Sequence, residues 1–220
     1  MTRGGSMTPD QFLISDAAGL RVKLMDFQAG VETLTTEFTP ASSSTGSDSD
    51  VTFLLDAPAG YRAGLDGSST SFFLDREPVS RKLAPKYFQL VYAPSRFASD
   101  FRTWAQQVCW AVRECLFSTG LVCVDFADFR TALDASPGAQ LVVDIISFDE
   151  PSELPAMLST STRFRALYSN ILGGPELSLP FYTEVERALE SRSPNMVVHK
   201  FGMKIANVQR PQLVLLGEPA

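Results

Sequence analysis

A layered α/β domain built around one long amphipathic helix is what this sequence predicts, on three observations. Phe97, Phe101, Trp104, Val108, Val112 and Cys115 recur at steps of three and four, the period of a helix with one buried face. Beyond that helix, four short aliphatic and β-branched runs (140–148, 164–171, 196–203 and 212–216) are interleaved with helical segments, the pattern of a sheet covered by helices. Ahead of it, residues 8–95 read as short strands punctuated by Gly, Pro and Ser. The chain therefore divides into a β-rich region at 1–95, a central helix at 96–118, and a second αβ unit at 119–220.

In chain order, Leu20, Val22 and Leu24 alternate with Arg21, Lys23 and Met25, and 31–38 is rich in Val and Thr, both strand signals. The run ASSSTGSDSD at 41–50 has nothing to bury and predicts a loop. Residues 51–55, 71–74 and 87–92 complete the N-terminal strands. Gly64 and Gly67 between two of them invite a phosphate-loop reading, but no Lys-Ser/Thr follows and no helix start is present, so a plain turn is expected. Ser95 or Ser99 is available to cap the central helix. Further on, Ser178 caps and Pro180 opens a helix that buries Phe181, Val185 and Leu189 and runs to about Ser191, ahead of Pro194.

Composition narrows the function classes. With 45% hydrophobic and 20% charged residues the chain is an ordinary folding sequence. A net charge of −6 without any Lys/Arg cluster argues against a nucleic-acid partner. Three cysteines, Cys109, Cys115 and Cys123, show no CxxC spacing, so neither a zinc site nor a disulfide framework is expected, and a reducing, cytoplasmic setting is. No apolar run is long enough to span a bilayer, and no direct membrane insertion is expected.

Chemistry concentrates in Phe117–Leu133, FSTGLVCVDFADFRTAL, where two carboxylates, Asp125 and Asp128, follow the central helix at a spacing of three. That spacing at a helix start puts both on one side, as an acid/base pair would need. It equally suits two helix-start aspartates stabilised by unpaired N–H groups and the macrodipole. His199, the one histidine, alternates with Val198 and Lys200 and is expected at a surface or satisfied position; without a G-x-S-x-G elbow no Ser-His-Asp triad is expected. Glu184, Glu186, Arg187 and Glu190 read as a solvated helix face. Asp144, within an apolar run, needs a partner if buried.

Three segments together carry a family resemblance. Gly120–Phe129 resembles the G-L-x-N-x-D-F-A-D-V loop of FtsZ, the bacterial tubulin homologue; Asn170–Leu179 resembles its N-I-x-G-G-x-x-L-S-L; and Asn195–Gly202 stands where that family has A-N-V-I-F-G. The resemblance covers about 89–217 and implies the family's central helix followed by its C-terminal domain, a mixed four-stranded sheet with helices. The family's glycine-rich GTP signature has no counterpart in 1–96, which is also short for a parallel nucleotide sheet with crossover helices. Where the family's central helix presents an aspartate to guanine, Trp104-Ala105-Gln106-Gln107 stands here.

The resemblance thus implies a degenerate GTPase remnant at 1–95 and a pseudo-GTPase with no bound cofactor or metal. In FtsZ the two-aspartate loop reaches nucleotide held by the next subunit. Gly120, Leu121, Cys123, Asp125, Phe126, Asp128 and Phe129 are accordingly expected to contact an FtsZ-like or tubulin-like partner, or a second copy, in a filament of the cell-division type. Catalysis by Asp125 and Asp128 in trans, or an unrelated hydrolase using them, is the alternative. Cys123 in place of the family's Asn weakens it, since a thiol is a poor substitute for an amide.

Overall fold

The computed structural model describes residues 20, 22–27, 33–34, 49–61, 70–94, 97–136 and 139–220. Within them run β1 (Val22–Asp26), β2 (Thr33–Leu34), β3 (Val51–Leu55), β4 (Thr70–Asp75), β5 (Tyr87–Val91), α1 (Phe101–Phe117), β6 (Thr119–Val122), α2 (Phe126–Asp134), β7 (Gln140–Ser147), α3 (Leu154–Leu158), β8 (Phe164–Gly173), α4 (Leu179–Arg192), β9 (Val198–Ile205) and β10 (Gln212–Pro219). The expected Gly64–Gly67 turn, most of the 41–50 loop and residues 8–19 lie outside the described residues.

The strands form one mixed sheet in the order β2-β1-β3-β4-β5-β7-β10-β8-β9-β6. Its two halves differ in direction. β1, β3, β4 and β5 run parallel to one another, whereas β10 is antiparallel to both β7 and β8, and β8 is parallel to β9. β7 joins the halves: Gln140 and Leu141 pair with Gln89 and Leu90 of β5, and Val142–Ser147 pair with β10. The expected four strands of the C-terminal sheet are all present, and β6 adds an edge strand to them, paired to β9 across a bulge.

Alternation along the strands distributes the core. Phe53, Phe72, Phe88, Tyr168, Leu172, Val214 and Leu216 meet the buried faces of α1 and α2. The intervening residues of the C-terminal half, among them Ile146, Leu167, Ile171, Leu213 and Leu215, meet α3 and α4 on the opposite side. That half is therefore a three-layer sandwich. α1 starts at Phe101 rather than near residue 96, and its cap is neither serine: the Asp100 carboxylate accepts the Thr103 N–H at 3.0 Å. α4 has the expected cap, with Ser178 Oγ accepting the Phe181 N–H at 3.4 Å and Pro180 in the first turn.

β4 and β5 are parallel neighbours despite a short connection. Residues 76–86 link β4 to β5 without a helix, although parallel neighbours usually need a helical crossover. Arg81 takes over the anchoring. Its guanidinium pairs with Asp75 at 2.6 Å and donates to the carbonyl oxygens of Pro58, at 2.7 Å, and Ala57, while Gln89 Nε2 donates to Asp75 at 2.8 Å. Arg81 also lies over the Phe73 ring, 4.4 Å from its centroid. A charge network of this kind is tolerable inside only because nearly every donor and acceptor is used.

Candidate functional site

Thr119–Val122 leaves α1 as a strand because Ser118 ends the helix, its N–H still bonded to the Glu114 carbonyl, and because β9 offers an open edge to pair with. The chain then turns through Cys123 and Val124 into α2. Asp125 is the N-cap of α2: its carboxylate accepts the Asp128 N–H at 2.9 Å, and the Asp128 carboxylate accepts the Asp125 N–H at 3.4 Å. This reciprocal box satisfies two of the N–H groups that a helix start leaves unpaired.

Asp128 has a second duty. Its other carboxylate oxygen accepts from Lys200 Nζ at 2.7 Å, and this lysine holds the Asp128 pKa below the ordinary carboxylate value. Four positions along β9, Lys204 reaches the same loop and donates to the Val124 carbonyl at 3.0 Å. Lys200, Gly202 and Lys204 share one face of β9, opposite Tyr168, Asn170 and Leu172 of β8. Gly202 makes room for the loop: a β-carbon there would collide with Val124 Cγ2 and Asn170 Oδ1. The loop is thus strapped to the sheet by two lysines with a glycine between them.

The residues expected to form a contact surface separate into two groups. Leu121, Cys123 and Asp125 are exposed, and Gly120 and Phe126 are partly so. Leu121 is 47% exposed, and Ile205, paired near it on β9, is 42% exposed. Among the described residues no strand lies on the outer side of β6, so its backbone edge is open. Phe129 is a correction. It is completely buried, packed between Phe72, Phe126 and Tyr168, because it sits one turn into α2 on the helix's core side.

Lys200, Gly202, Lys204 and Asn170 belong to the site but were not singled out by sequence reasoning. The alternating Lys-x-Gly-x-Lys in a strand was the available signal, since it places two cations on one face. The Asn170 amide is fully buried, with no hydrogen-bond partner among the described residues. His199 is half-buried and satisfied: it shares a hydrogen bond of 2.9 Å with Ser169 Oγ, stacks on Phe201, and is pushed down to about 4 by burial. A base with so low a pKa, beside a buried serine, has no triad to serve. Asp144 is half-buried on β7 opposite Leu215. Among the described residues no group of three or more His, Cys, Asp or Glu is placed to hold a metal ion, and no helix is long and apolar enough to cross a membrane.

No protein-family model and no curated protein sequence matches the chain. Its fold does match solved structures. A tryptophan-to-tyrosine mutant of FtsZ from M. jannaschii superposes with a TM-score of 0.53 at 15% identity, over 79% of this chain and 66% of that one. A GTPγS-bound protofilament of CetZ2 from Haloferax volcanii gives 0.51 at 14% identity, over 84% and 68%. An empty FtsZ dimer from M. jannaschii gives 0.50 at 18% identity, over 77% and 63%. The chain spans a little under two thirds of the length of these FtsZ chains. Over the matched part it has the mixed α/β fold seen in these FtsZ and CetZ structures.

Proposed function

We propose that this chain is an interaction subunit of FtsZ-like filaments, contacting a neighbouring subunit through β6 and the loop into α2, and contributing no GTP hydrolysis itself. The observation that carries this reading is the state of the two carboxylates. Asp125 is engaged as a helix cap and Asp128 is both boxed to it and neutralised by Lys200. Groups fixed in this way are poorly free to orient or deprotonate a water molecule. The same stretch turns Leu121 and Cys123 outward beside an open strand edge, which suits contact better than chemistry. The fold it shares with filament-forming proteins supports a partner of that class, either an FtsZ-like subunit or a second copy of this chain.

The test is sedimentation of purified FtsZ polymer, and of this protein alone, with GTP turnover followed in parallel. Co-pelleting or self-assembly is expected for the wild type and for Asp125→Ala/Asp128→Ala, with turnover per unit of polymer the same for both. Leu121→Asp is expected to weaken pelleting about tenfold or more, as the burial of a charge at a contact does. Absence of any pelleting removes the proposal. Faster GTP turnover that vanishes in the double aspartate variant replaces it with hydrolysis in trans.

A further inference from the structure

We propose that Cys123 and Lys204 are a redox-sensitive covalent pair, in which a hydroperoxide oxidises the thiol and the lysine amine captures the product as a sulfur–nitrogen link. The geometry rests on Gly120. A β-carbon placed there would lie 3.1 Å from Cys123 Sγ and 3.4 Å from Lys204 Nζ, so both reactive atoms border the same small space that this glycine leaves empty. Each atom has a hydrogen bond of its own. Sγ donates a weak bond to the Gly120 carbonyl at 3.6 Å, and Nζ donates to the Val124 carbonyl at 3.0 Å.

The two partners have complementary access. Cys123 is the exposed cysteine, whereas Cys109 and Cys115 are buried, and burial pushes both of those thiols above the ordinary range, away from the reactive thiolate form. An oxidant in solution therefore meets Cys123 first. Lys204 is 95% removed from solvent, being only 5% exposed. Burial lowers its pKa, with Cys115, Cys123 and Asp125 opposing that shift in part, so more of the amine is neutral and nucleophilic than in a surface lysine.

The steps balance. The Cys123 thiolate attacks the peroxide oxygen, giving a sulfenic acid while the other peroxide oxygen leaves as water or alcohol. The Lys204 nitrogen lone pair then attacks sulfur, an S–N bond forms, the S–O bond breaks, and water leaves with one amine proton. Sulfenic acids condense in this way with thiols and with backbone nitrogen, and a thiol reductant reverses the link. The product ties the turn after β6 to β9 and removes the Lys204 charge, which Asp125 helps to stabilise. Its effect on partner binding rests on the contact reading above, but the chemistry is read on the isolated chain.

The experiment treats the folded protein with limiting hydrogen peroxide, then measures intact mass and maps peptides. The expected product is lighter by two hydrogen atoms, contains a cross-linked peptide joining Cys123 to Lys204, and returns to the starting mass with dithiothreitol. Lys204→Arg and Lys204→Met, each checked for fold by circular dichroism, should abolish that peptide and leave a sulfenic acid trappable by dimedone. A wild-type protein that yields only higher oxides or disulfides of Cys123 overturns the proposal. So does a mass loss that persists in both Lys204 variants, since it would come from a disulfide with Cys115. Failure of reduced protein to pellet would remove the contact reading and leave this link intact.

Discussion

Asp75 and Asp128 each hold a cation, yet the two pairs stand in opposite settings. Asp75 and Arg81 are sealed in the N-terminal half, with side-chain exposures of 1% and 4%. Asp128 and Lys200 lie at the edge of the C-terminal half, at 32% and 33%. The first pair occupies the carboxyl end of a parallel strand, where open α/β sheets commonly leave room for ligands, and fills it with the chain's own loop. The second fixes a helix start and leaves its neighbours facing outward. A charge sealed inside organises the fold; a charge at the rim sets what the surface can do.

Removing the cations separately tests that contrast most sharply. Arg81→Ala should cost about 3–5 kcal/mol, because Asp75 remains buried without its partner. A large drop in the urea midpoint is the expected reading, and a change below about 1 kcal/mol would mean that the network is hydrated rather than sealed. Gly202→Ala comes next, at about 1–3 kcal/mol, since the new methyl group displaces Val124 and Asn170 and lifts the strapped loop. Faster reaction of Cys123 with maleimide should accompany it.

Smaller effects belong to the rim. Asp125→Ala should cost about 1 kcal/mol through loss of the cap, and Lys200→Ala at most about 1 kcal/mol, reduced further by salt. The Lys200 effect carries a pH signature. Lys200 lowers the folded pKa of Asp128, so across that range the unfolded chain binds more protons than the folded one. The stabilisation is complete above the ordinary carboxylate pKa and drains away as pH falls through the lowered value. The difference between wild type and Lys200→Ala, measured by thermal unfolding, should therefore shrink on acidification. A difference that grows on acidification would contradict the pairing.

Much of the C-terminal half was legible in the sequence because its signals are local. The stripe from Phe101 to Cys115, the Ser178 cap with Pro180 behind it, and the aliphatic runs of β7, β8, β9 and β10 each announce themselves within a dozen residues. β6 was missed because Thr119–Val122 is a four-residue strand with a bulge, whose identity depends on the free edge of β9. The parallel pairing of β4 with β5 was missed for a related reason, since a short connection without a helix, as at 76–86, resembles that of a hairpin. Phe129 was misplaced because a motif gives residue types in order but not the side of the helix that turns inward.

The sequence by itself determined the helix periods, the Ser178 cap, the strand runs and the presence of two carboxylates at a helix start, all of which depend on neighbours a few positions away. Only the tertiary structure decided what those carboxylates meet. Lys200 reaches Asp128 across 72 residues and Lys204 reaches Val124 across 80. Such pairings form when β9 docks beside β8, so no local spacing encodes them. Docking turned a two-aspartate motif into a loop strapped to the sheet, and placed a buried lysine near the exposed thiol.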